Sequence, residues 1–137
     1  MLDNHRPIIL VSNSSWYLFH YRNLLIKEIK KTHKHLIALC PYDGASRELS
    51  KKIIHIPWRM SRLKEKSLLS FLFSLIRMIF LIRAIKPKLI HSHTLQANLI
   101  TAFVSSIFGI KSVFSFAGIG RFEKSKGLSK IIFIYIF

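Results

Sequence analysis

Lys88-Leu-Ile-His-Ser-His-Thr-Leu-Gln-Ala-Asn98 is the stretch that decides the fold. A short apolar run, preceded by Pro87, ends in two histidines and a threonine and then gives way to an apolar pattern of helical period. That is how a buried strand running into a helix reads. In an open α/β sheet, ligands bind just beyond the carboxyl ends of the strands. His91, Ser92, His93 and Thr94 therefore stand where a doubly wound domain keeps its chemistry. His91 and His93 are two residues apart, so both point to one side of the sheet.

The same alternation of strand and helix runs outward in both directions. Ile8 to Val11 is an apolar run of strand length after Pro7, and Ser12 to Ser15 supply helix-capping chemistry. From Trp16 a helix is expected, with Leu18, Arg22, Leu25, Ile26 and Ile29 on one face. Leu36 to Cys40 reads as a second buried strand stopped by Pro41, and Asp43 to Lys52 as a short helix with Asp43 as its cap. Ile53 to Ile56 is a third strand ended by Pro57, and Trp58 to Lys66 a basic loop. Ser67 to Lys86 is a long helix closed by Pro87, after which Leu89 and Ile90 anchor the fourth strand. Leu95 to Phe108 is a largely apolar helix with Gly109 as its stop. Lys111 to Phe116 is a fifth strand, Phe116 to Gly120 a small-residue turn, and Ser129 to Phe137 the start of a further apolar element. Short apolar strands alternating with helices predict an α/β fold: a doubly wound, Rossmann-like parallel sheet covered on both faces.

The bulk composition sets the bounds. The 137 residues suffice for one domain with its own core. Lys and Arg number 22 against 6 Asp and Glu, for a net charge of +16, which points to a polyanionic partner. Nucleic acid rests on that charge alone: the basic residues are spread over several elements without an aromatic platform, so it is not the expected partner. Cys40, the single cysteine, reads as a buried thiol and excludes any disulfide framework or cysteine-based zinc site. Asp3 to Pro7 break any early apolar run, so no signal peptide is expected and a cytoplasmic location is. Leu68 to Ile82 is nearly all apolar but is shorter than the roughly 20 residues that cross a bilayer. Arg77 near its middle adds about 2.5–3.5 kcal/mol on the insertion scale. Only Ser70, Ser74 and Arg77 make a polar stripe, and Arg59, Arg62, Lys64 and Lys66 lie just upstream. Two readings stand side by side here: a helix lying on an anionic membrane surface, or a buried sheet-packing helix after a solvated basic loop.

The turn after the first strand reads Ser12-Asn-Ser-Ser-Trp16, with no glycine. A nicotinamide or flavin cofactor, or a P-loop nucleotide site, would require a glycine-rich turn there. What remains is either simple capping by Ser14 or Ser15, or a modest phosphate site at a helix N-terminus. Arg22, on the inward helix face, requires a partner, either a phosphate or a structural salt bridge. The two histidines lack nearby carboxylates to complete a metal shell, so no metal is expected. One histidine acting as acid/base, or as a donor to a sugar hydroxyl, suits the position better. Gly118 and Gly120 would allow close backbone approach after the fifth strand.

Three ordered motifs carry a family resemblance. Val11-Ser-Asn-Ser-Ser-Trp-Tyr-Leu-Phe-His-Tyr-Arg22, Ile85-Lys-Pro-Lys-Leu-Ile-His-Ser-His-Thr94 and Phe116-Ala-Gly-Ile-Gly120 resemble the N-terminal domain of retaining glycosyltransferases of the two-domain GT-B architecture, family 4. The branch they most resemble transfers N-acetylhexosamines or related sugars to polyprenyl-diphosphate-linked glycans in bacterial surface polysaccharide biosynthesis. The resemblance implies that residues 1–137 form the acceptor-side domain of a metal-independent transferase without a bound cofactor, using a nucleotide sugar, UDP-linked, as donor substrate. It implies a catalytic role for His93, with substrate contacts from Asn13, Ser14, Ser15, Trp16, Arg22, His91, Thr94, Asn98, Gly118 and Gly120. Lipid-linked acceptors place such a protein as a peripheral one on the inner face of the cell membrane. Two features depart from the family. The donor-binding domain with its Glu-x7-Glu signature is absent, which implies a truncated chain, inactive alone, or one chain of a split enzyme. Many relatives carry a catalytic histidine just after strand five, where this chain has Phe116-Ala117-Gly118, leaving His93 as the better candidate. The alternative is a non-catalytic membrane-docking subunit of a split glycosyltransferase.

Overall fold

Four uninterrupted apolar residues after Pro7 leave no polar side to turn toward water. Ile8–Val11 accordingly forms β1 at the centre of the sheet, buried on both faces. The computed structural model describes residues 5–60 and 68–116. After β1 come α1 (Ser15–Tyr21), α2 (Asn23–Thr32), β2 (Leu36–Cys40), α3 (Ser46–Ser50) and β3 (Ile54–Pro57). There follow α4 (Leu68–Ile85), β4 (Leu89–His93), α5 (Leu95–Phe108) and β5 (Lys111–Ser115). The sheet order is β3-β2-β1-β4-β5, every described pairing is parallel, and the doubly wound Rossmann-like fold read from the sequence is the fold found.

Strand alternation divides the core in two. Ile9, Val11, Ile37, Leu39 and Ile90 face one way and pack under Met78 and Ile82 of α4 and Ala97, Ile100 and Val104 of α5. Ile8, Leu10, Leu36, Ala38 and Cys40 face the other way, against Leu18, Ile26 and Leu49. Cys40 is a free, fully buried thiol, pushed well above its ordinary range by that burial and by the nearby Asp43 carboxylate. Burying a Leu, Ile or Met side chain of this kind stabilises by roughly 1.5–3 kcal/mol. The two edge strands are the exception: β3 and β5 keep several residues exposed or half-buried.

Several boundaries differ from the sequence expectation, each for a local reason. The helix expected from Trp16 onward is broken at Arg22, whose φ of −116° and ψ of 12° separate α1 from α2. The helix expected over Asp43–Lys52 shrinks to α3, because Asp43 is taken up elsewhere and Ala45 caps it without a side-chain bond. Pro57 belongs to β3, opposite Cys40, and is tolerated because β3 is an edge strand that need not donate on its outer side. Both histidines lie within β4 itself. Trp58 lies in the connection after β3 as expected, but it is fully buried rather than solvated, and its indole Nε1 donates to the Ser74 carbonyl at 3.0 Å. Ser74 therefore turns inward, its hydroxyl donating to Ser70 O at 2.9 Å and to Arg59 O at 3.0 Å. The polar stripe expected on α4 is thus partly buried, and apolar side chains face outward in its place. Gly109 ends α5 in the left-handed conformation, φ 61°, as a helix-stopping glycine should. The turn expected with Gly118 and Gly120, residues 61–67 and the apolar element expected over 129–137 lie outside the described residues.

Candidate functional site at the strand switch point

The chain winds outward from β1 through β2 to β3 on one side, then crosses to β4 and β5 on the other. Between β1 and β4 the direction of winding reverses, and an open α/β sheet keeps its ligand crevice at that point. Val11 pairs with Ser92, so the Ser12–Ser14 loop and the turn at Thr94 flank the same crevice. Ser14 and His93 stand on one rim.

His91 and His93 point together under α1, their ring centroids 4.3 Å apart. The break at Arg22 allows its guanidinium to turn back over them. Arg22 Nε donates to His93 Nδ1 at 3.2 Å, and Nη2 donates to the Tyr17 hydroxyl at 2.8 Å. The structural salt bridge expected as one alternative for Arg22 is not what forms: its protein partners are two neutral side chains. Since Nδ1 accepts, the single ring proton of neutral His93 resides on Nε2. That nitrogen is buried and has no partner. Burial first, then the neighbouring His91 and Arg22 charges, drive His93 down to about 3, so it is neutral at physiological pH. Burial and Arg22 lower His91 as well, and its Nε2 lies 2.8 Å from the Ser115 hydroxyl.

Further orphaned groups gather at this end of β4. Ser92 Oγ, Thr94 Oγ1, Asn98 Oδ1 and Thr101 Oγ1 are buried without a partner, although Asn98 Nδ2 donates to Ser115 O at 3.1 Å. Native interiors leave few such groups, and each calls for a reason. Thr94 itself has φ 78° and ψ 147°, a region disfavoured for a β-branched residue at a cost of about 1–3 kcal/mol. Strain and unmet hydrogen bonds thus coincide at the residue where β4 hands over to α5.

The serine-rich turn behaves differently. Ser14 Oγ accepts from Tyr17 N at 3.0 Å and caps α1. The Asp43 carboxylate accepts from Ser15 N at 2.8 Å and Trp16 N at 3.1 Å, and also from the Ser15 hydroxyl. The donors that a phosphate would use at this helix start are therefore occupied by the chain's own carboxylate. Burial alone would raise the Asp43 pKa, but these bonds and one from Ala45 N outweigh it and hold the group below its ordinary range.

Beside this turn opens a cleft of about 660 Å³. The loops after β1, β2 and β3 line it with Asn13, Ser14, Tyr42, Asp43 and Arg59, joined by Arg77 of α4 and Gln96 of α5. Two guanidinium groups there outnumber the single Asp43 carboxylate, so the lining carries a net positive charge. Arg77 Nη2 donates to Pro57 O at 3.1 Å.

Arg22, His91, His93, Thr94 and Asn98 are thus brought to one end of the sheet, and Asn13 and Ser14 line the adjoining cleft. Ser15 is buried in the Asp43–Ser46 network, and Trp16 is half exposed against His20 and Tyr21. Gly118 and Gly120 lie outside the described residues. Tyr17, Tyr42, Asp43, Arg59, Arg77, Gln96 and Ser115 were not foreseen. Pro41 and Pro57 were the available signal: they mark the carboxyl ends of β2 and β3, so the residues just after them belong to the same rim. Among the described residues, no three His, Cys, Asp or Glu side chains converge as a metal site.

A doubly wound parallel sheet with helices on both faces defines a Rossmann-like α/β domain. The glycosyl transferase 4-like family model matches residues 7–137, and the chain belongs to that family. No curated protein sequence matches it. Among solved structures, it is similar to the glycotransferase of kitacinnamycin, with a TM-score of 0.55, 14% identity, and 80% of this chain and 30% of that one covered. A protein from Listeria monocytogenes assigned as a UDP-N-acetylglucosamine 2-epimerase gives a TM-score of 0.57, 10% identity, and coverage of 82% and 32%. The C-terminal domain of a hydrogenase from Pyrococcus furiosus gives 0.55 at 13% identity, with coverage of 80% and 90%. These likenesses speak to the fold. The chain spans about a third of the first two proteins.

Proposed function

We propose that this glycosyltransferase-family domain is the acceptor side of a two-lobed transferase. It moves a sugar, N-acetylhexosamine by the resemblance of its motifs, from a UDP-linked donor to a polyprenyl-diphosphate-linked glycan of bacterial surface polysaccharide. The anomeric configuration is retained, no metal takes part, and a donor-binding lobe, in this chain's own continuation or in a partner chain, completes the site. The domain works at the inner face of the cell membrane, where such acceptors lie. The observation that carries this reading is the Arg22–His93 pair, poised at the switch point of a sheet whose family transfers glycosyl groups.

Each group then has a role. A fully buried His93 suits a residue that works through another, fixing Arg22 through Nδ1. Half-exposed Arg22 and His91 are the groups at the surface, where a cation and an imidazole can stabilise phosphate charge or orient a sugar hydroxyl. Arg59 and Arg77 in the neighbouring cleft offer the acceptor diphosphate its counter-charge. Asn13 and Ser14 line the same cleft, and strained Thr94 stands at the neighbouring strand end.

The test pairs this chain with a donor-binding lobe and follows sugar transfer to a lipid-linked acceptor by mass. Arg22→Ala should lower turnover about a hundredfold, the scale of losing one preorganised donor. His93→Ala should do the same, while His93→Asn, whose side-chain oxygen can accept from Arg22 in place of Nδ1, should recover much of the loss. Unchanged turnover in Arg22→Ala and His93→Ala would remove the pair from the mechanism. The second reading, a non-catalytic docking subunit, is favoured by the exposed apolar face of α4. It predicts no effect of either variant on transfer.

A further inference from the structure

The two helical layers of this domain present opposite surfaces. On the α1–α3 side, the outward face of α2 carries Lys27, Glu28 and Lys31, as a solvated helix should. On the α4–α5 side the pattern is inverted. Leu69, Phe73, Ile76 and Phe80 recur at four, three and four residues, so they line one outward stripe over three turns, and each is half or more exposed. Phe103 and Ile107 of the neighbouring α5 are equally exposed. A contiguous apolar surface of this kind marks an interaction site rather than ordinary surface. Arg77, Arg83 and Lys86 lie exposed around it. No described helix is long and apolar enough to cross a membrane, so this face can lie on a bilayer without entering as a span.

We infer that the outward face of the α4–α5 layer docks on an anionic lipid bilayer, its aromatic and aliphatic side chains entering the headgroup boundary while the surrounding cations meet lipid phosphates. Charge decides between occupants. A second copy would bring another +16 against the first, whereas an anionic leaflet attracts it. Docked this way, the layer lays Arg77 at the membrane surface with the cleft opening beside it. The inference extends the membrane-surface part of the function proposed above. Vesicle binding is read without sugar transfer, so either can fail alone.

The experiment floats the full 137-residue chain with vesicles of phosphatidylcholine and phosphatidylglycerol. The wild type should co-float, and much less so with phosphatidylcholine alone. Phe73→Glu and Phe80→Glu should each weaken binding by about tenfold or more, since buried apolar area adds to electrostatic attraction in such docking. Leu24→Glu, the same charge change at an exposed position on the opposite layer, should leave binding within about twofold. Unchanged circular dichroism in all three keeps the reading one of surface. Equal losses in all three variants would reduce the attachment to net charge and overturn the inference. So would the absence of co-flotation, or a Phe73→Glu effect confined to the self-association of the chain.

Discussion

His93 shows how much one residue can be bound by its surroundings. Its ring is fully buried, accepts from a guanidinium on one nitrogen and lacks a partner on the other. Keeping it neutral has a consequence for stability. The unfolded chain binds a proton there below about pH 6.5, while the folded chain resists doing so until about pH 3. The unfolded state therefore holds more protons in that window, and stability falls as pH falls through it, with no contribution above it. One such proton amounts to about 1.4 kcal/mol per pH unit. Urea midpoints taken from neutral pH down to about pH 5 should decline in the wild type and decline less in His93→Asn. Equal slopes would show that His93 does not govern the acid limb; His91, also lowered, contributes to what slope remains. Thr94 offers a second test. Thr94→Gly relieves about 1–3 kcal/mol of backbone strain against about 0.5–1 kcal/mol of added chain entropy. The urea midpoint should hold or rise, while transfer by the assembled enzyme falls because the orphaned hydroxyl is gone.

At the scale of elements, the strands were legible and the helix details were not. Continuous apolar runs beside prolines located β1 and β2, because a strand buried on both faces has no polar positions to confuse the pattern; β4 was marked by Leu89 and Ile90 after Pro87 and by the polar residues that follow them. The expected helix from Trp16 onward kept its inward residues, Leu18 and Ile26, but not its continuity. The break at Arg22 comes with long-range bonds to His93, across 71 positions of sequence, which no local pattern encodes. Asp43 moved in the same way: its sequence neighbours suggest a cap for α3, and its carboxylate instead serves α1, 28 residues back. Trp58 is the element-scale anchor, joining the end of β3 to α4 through its own burial and the Ser74 carbonyl. Trp58→Ala should cost about 3–5 kcal/mol through the cavity and the lost hydrogen bond, read as a fall in the denaturation midpoint. A cost under about 1 kcal/mol would show that α4 is held by its other contacts alone.

For the molecule as a whole, winding direction and charge act together. The reversal between β1 and β4 brings residues from both halves of the chain to one rim, and the cleft after β1, β2 and β3 adds Arg59 and Arg77. The long apolar stripe on the outward face of α4 is also a property of the whole, since it depends on which side of the sheet each helix crosses. By itself the sequence determined the α/β class, the parallel sheet, the strand ends bearing His91 and His93, and the basic, apolar-rich character. Those follow from short-range periodicity and composition, which bulk hydrophobic burial reads directly. Only the tertiary structure decided that Arg22 meets His93, that Asp43 occupies the helix start offered to a phosphate, and that α4 shows its greasy side outward. Each of these depends on side chains distant in sequence competing for the same few donors and the same buried face, and a competition of that kind is settled only once the chain has folded.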